Sequence, residues 1–198
     1  MVSKCYAVAG AGLLLLPLLS QAQPVGPRVV PESRINVRFY EVSAERPELL
    51  AKALAQSAPK VDGKPVLGKA SYEVEWQLDS RQSQEGCQFN AVKVITHTQL
   101  LLPRWQQSEQ GVVSAHQRWG QLLTNMFDYE SRLKELLLRG ASQVGGVIAA
   151  LPPHRDCQTL QHAAWAAGSS ELARVRSQID AFQSKYRGGE ALGVQWPK

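Results

Sequence analysis

The sequence predicts an α+β domain, with N-terminal antiparallel strands packed against C-terminal helices and one disulfide. Three observations carry that reading. Residues 71–80, SYEVEWQLDS, alternate strictly between apolar and polar, the period of a strand with one buried face. From residue 113 onward apolar residues recur at helical spacing, with Leu122, Met126, Leu133, Leu136 and Leu137 on one side. Strands therefore come first and helices after, the order of an α+β chain.

The chain has 198 residues. Its first 22 residues read as a signal peptide, with Lys4 at the positive start, an apolar run over 5–19, and Ser20 and Ala22 before a cleavage point. The run is too short to span a membrane comfortably. Residues 23–34, rich in proline, read as an extended leader. Residues 35–198 then form a single domain, long enough for one core. The expected location is exported, periplasmic or secreted, in a bacterium.

Within the domain, residues 35–44 read as a strand with Ile35, Val37 and Phe39 on one face. Residues 46–58 read as a short helix with Pro47 in its first turn, and residues 59–65 as a turn region. In the strand at 71–80, Tyr72, Val74, Trp76 and Leu78 face one way. Residues 87–103 form the next strand, a hairpin partner for it. A helix beginning near 108–113 runs to Leu151, with Gly120, Gly140 and the Gly145–Gly146 pair as possible breaks, and Pro152–Pro153 end it. Residues 156–186 are again helical, with Gly168 as a possible interruption. No repeat or low-complexity tract occurs.

Of the three cysteines, Cys5 falls in the signal segment. The remaining pair, Cys87 and Cys157, in an exported chain implies a disulfide. The net charge of +5 is scattered, with no basic stripe interleaved with aromatics, so nucleic acid is not an expected partner. No second apolar stretch is long enough for a stable membrane span.

Catalytic patterns are scarce. The four histidines, His97, His116, His154 and His162, include no i, i+3 or i, i+4 pair, so none offers a ready metal edge. There is no Gly-x-Ser-x-Gly nucleophile motif and no phosphate-binding glycine loop. Glu130 and Glu135 are five apart and point to different helix faces. By periodicity alone, Glu130 is a solvated helix acid.

A set of features in order gives a resemblance: YEVEWQL (72–78), EGC (85–87), VKVITHT (92–98), LLPRW (101–105), Trp119, DCQTL (156–160) and FQSKYRGGEALG (182–193). From about Ile35 to Gly193 the chain resembles the bacterial family described as predicted secreted Zn-dependent proteases, a domain of unknown function. The resemblance implies a zinc metallopeptidase with a His-Glu-x-x-His helix soon after Trp119 and a third ligand near the C-terminus. Two histidines one turn apart bind one zinc, and the glutamate takes the proton of zinc-bound water.

At those positions this chain has Tyr129 and Leu133 for the two histidines, Glu130 for the general base, and Gly188 for the third ligand. Leucine and glycine have no donor atom, and a tyrosine phenol is a poor ligand near its free pKa of about 10. The expectation is a pseudoprotease: zinc lost, no metal or other cofactor, Glu130 a non-functional remnant, and a peptide or protein partner in the old cleft. Two alternatives stand beside it. One is an active zinc peptidase with ligands relocated to His116, His154 or His162. The other is a structural or assembly protein of the cell envelope, docking through helices that include HAAWAAG (162–168).

Overall fold

The structure, a computed structural model, describes residues 26–61, 63–106 and 113–196. The proposed signal segment, 1–22, lies outside the described residues. Five strands and three helices follow in order: β1 (Arg28–Ser43), α1 (Leu50–Ser57), β2 (Lys60–Val61), β3 (Lys64–Pro65), β4 (Lys69–Ser83), β5 (Gly86–Gln106), α2 (Val113–Ala149) and α3 (Cys157–Lys185). A 3-10 turn at Pro47–Leu49 leads into α1, and another, Arg187–Leu192, follows α3. The α+β class, with strands packed against later helices, is as expected.

β4 and β5 form the expected antiparallel hairpin, paired from Lys69↔Leu101 to Ser83↔Gly86 with a register shift between Asp79 and Ser80. The sheet order is β1-β5-β4, and β1 runs parallel to β5, from Arg28↔Ala91 to Ser43↔Gln106. That pairing departs from a purely antiparallel sheet. β1 also begins at Arg28, so the second half of the proline-rich leader joins the sheet. An edge strand tolerates Pro31 because the nitrogen without a hydrogen can face away from the ladder.

The helices cover one face of the sheet. Buried Ala115, Trp119, Leu122, Met126, Tyr129, Leu133, Leu137, Ala141, Val144 and Ile148 make the apolar stripe of α2, at the spacing of one helical face. The other face of the sheet carries ion pairs: Glu32 with Arg34 and Lys93, and His97 with Glu75. The glycines of α2 do not break it. Gly140 lies against Val175 of α3, and Gly145 against Val29 of β1, each so close that a Cβ would collide. Gly168 in α3 likewise sits beneath the Trp76 ring, and α3 continues through it. Gly140, Gly145 and Gly168 serve close approach in these helices rather than termination, whereas Gly120 and Gly146 meet open space.

α3 is started by chemistry that the sequence displays. Asp156 caps α3, accepting from the Thr159 backbone N–H at 2.7 Å and its hydroxyl at 3.0 Å. Next to it, Cys87 and Cys157 are joined, with Sγ–Sγ 1.97 Å and Cα–Cα 5.0 Å. The backbone of Cys87 also exchanges two hydrogen bonds with His154, at 2.7 and 3.0 Å. The start of β5 and the start of α3 are thus fastened together.

Candidate functional site

α2 crosses the sheet with Tyr129 and Leu133 on its buried stripe and Glu130 beside them, part-buried. Tyr129 belongs to the core cluster shared with Trp119 and Met126, and its ring stacks on Phe182 of α3 at 5.5 Å. Leu133 packs in the next cluster with Leu137, Val175 and Ile179.

The tail brings a third position to the same place. After α3 the chain turns through Arg187, Gly188 and Gly189, at φ 49°, 64° and 103°. The two glycines take left-handed values that side chains resist. Gly189 is buried, and a Cβ there would press on Val194 and the Tyr129 ring. Asn125 of α2 holds the tail by donating to the Gly193 carbonyl at 2.8 Å.

Between tail, α2 and the start of β4 lies a cavity of about 430 Å³, lined by Tyr129, Glu130 and Gly188 together with Gly68, Lys69, Met126, Gln183, Arg187 and Glu190. A second cavity of about 330 Å³ lies between α2 and strands β1 and β5. Its walls are Ile35, Thr98, Leu100, Phe127, Leu133 and Leu137, with Ser131 and Lys134. Glu130 lines both.

The three positions singled out with Glu130 are therefore split. Tyr129 and Gly188 share the first cavity with it, whereas Leu133 lines the second. Gln183, Arg187 and Glu190, which line the first cavity with them, belong to the same 182–193 segment that carried the resemblance, though no role was read into them, whereas Lys69 comes from β4 and carried no sequence signal. Phe127 and Ile35 of the second cavity each had a visible clue, an apolar residue on the edge of an amphipathic pattern.

Glu130 is the electrostatic centre. Burial raises its carboxyl to about 7, because the charged form loses water. No hydrogen bond or ion pair compensates it among the described residues. Burial, and secondarily the Glu130 charge, raise the Tyr129 phenol to about 12.

These residues do not suit a resident zinc. The set offers one carboxylate, one neutral phenol packed on a ring, a leucine and a glycine, where a zinc site needs at least three donors. Among the described residues, no group of three His, Cys, Asp or Glu side chains is placed to hold a metal ion. The histidines sit apart in the fold. His116 stacks near Trp105 at 4.8 Å, His154 is bonded to the β5 start, His162 is exposed on α3, and His97 pairs with Glu75.

Fold and site together define a class: a mixed three-stranded sheet under two long helices, with a cleft centred on one unpaired carboxyl. Residues 37–189 match the family described as bacterial protein of unknown function, DUF922, and the chain belongs to that family. No curated protein and no solved structure matches it.

Proposed function

We propose that this protein is an exported, non-catalytic relative of the secreted zinc proteases it resembles, and that it binds a peptide or unfolded protein segment in the cleft under α2. One observation carries the reading. The Tyr129, Glu130 and Gly188 positions border an open cavity of about 430 Å³ whose donor set is too poor for zinc. The cleft is polar at Lys69, Gln183, Arg187 and Glu190 and apolar at Met126 and Val194, the mixture expected of a pre-formed binding site. Export is supported by the Cys87–Cys157 disulfide, since such bonds persist in oxidising compartments.

Zinc content of the purified protein, proteolysis of reduced carboxymethylated α-lactalbumin, and binding of that same unfolded chain test the reading together. The expected result is substoichiometric zinc, no cleavage and saturable binding. Stoichiometric zinc with cleavage that Glu130→Gln abolishes would overturn it.

A further inference from the structure

The second cavity is unlike the first. It opens on the sheet edge, where Ile35, Val37 and Phe39 of β1 are 44%, 43% and 44% exposed although they share the face that the helices cover. Phe127 of α2, 55% exposed, lines the cavity together with Ile35. Among the described residues no strand pairs beyond β1, and α2 does not extend far enough over the edge to bury these side chains. The result is a short trough with apolar walls, Ile35, Leu100, Phe127 and Leu137, and a carboxyl, Glu130, among them.

The polar groups inside are few and point to one chemistry. Besides Glu130 there are the hydroxyls of Thr98 and Ser131, both able to accept a hydrogen bond. The one basic lining residue, Lys134, is exposed and makes no ion pair with Glu130, although it lies one turn further on. Lys69 and Arg187, which border the first cavity with Glu130, do not pair with it either, and Arg187 turns to Glu190 at 4.0 Å, so among the described residues no cation of the protein pairs with the carboxylate. An occupant that matches needs an aliphatic stem to lie on the apolar walls and a cationic tip to reach the carboxyl. Lysine and arginine side chains have that shape, and a charge-assisted bond to a carboxylate is the stronger kind. The cavity, about 330 Å³, has room for one such side chain.

We propose that the trough between β1, β5 and α2 is a specificity pocket for a lysine or arginine side chain of the bound peptide, anchored on Glu130. The inference rests on the peptide-binding reading above and deepens it. Glu130 is then a binding group, whose carboxylate meets the ligand's cation where the second cavity adjoins the first.

The test uses the full protein and two acetylated, amidated pentapeptides, Ala-Ala-Lys-Ala-Ala and its norleucine counterpart, which keeps the stem and removes the charge. Titration calorimetry at pH 8, above the carboxyl's pKa of about 7, is expected to show the lysine peptide binding about tenfold more tightly, the effect of one charge-assisted bond in a partly dry site. Glu130→Gln, which preserves shape, should remove that preference, while Phe127→Ala should weaken both peptides alike. Equal affinity for the two peptides, or a preference that survives Glu130→Gln, overturns the pocket. If unfolded α-lactalbumin still binds in that case, the cleft reading stands alone; if it does not bind either, both readings fall. A dimer in sedimentation that Phe127→Asp dissociates would assign the trough to a second copy of the chain and overturn the proposal.

Discussion

Glu130 sits on a part-buried helix face with nothing to neutralise it. Its folded pKa of about 7 lies above the ordinary value of 4.5. Between those two values the folded protein holds a proton that the unfolded chain has released, so stability falls as pH rises through that window. The group is harmless below about pH 4.5 and at its most costly above pH 7. Glu130→Gln is therefore expected to stabilise the fold at pH 8, by up to about 3 kcal/mol from the size of the shift, and to make little difference at pH 4.5. Urea unfolding of both proteins at the two pH values checks this; an equal effect at both would show that burial is not the cause.

At the scale of elements, α2 contains glycines of two kinds. Gly140 and Gly145 approach Val175 and Val29 too closely for a Cβ, whereas Gly146 has open space beside it. Gly146→Ala should stabilise the protein by about 0.5–1 kcal/mol, the helix-propensity gain. Gly140→Ala should destabilise it by about 1–3 kcal/mol, because overpacking outweighs that gain. Thermal unfolding of the two variants separates the cases. Sequence alone read all of these glycines as possible breaks, since a glycine that admits a neighbouring helix and a glycine that ends one are the same letter. The strand at 71–80 was legible because its alternation is local. The parallel partnership of β1 with β5 was not, because it joins residues more than sixty positions apart and depends on the helices that cover the sheet.

For the whole molecule, the Cys87–Cys157 bond closes a loop of 70 residues around β5, α2 and the turn into α3. Its loss is expected to cost about 4 kcal/mol on the chain-entropy estimate, with the Cys87–His154 backbone pair loosening as well. Denaturation of the protein with and without reductant measures it, with Cys157→Ser as the genetic counterpart. No helix among the described residues is long and apolar enough to cross a membrane.

The sequence by itself determined the class, the order of the main elements and the disulfide partners. Those are local or compositional properties: alternation, helical period and cysteine count. Only the tertiary structure decided that Glu130 is sheltered rather than solvated, that Gly188 is carried back to it by a left-handed turn, and that Ile35 of the sheet edge faces a cavity with Phe127. Burial and pKa depend on what packs above and beside a residue, and those neighbours come from β1, β4, β5 and the tail, far from Glu130 along the chain.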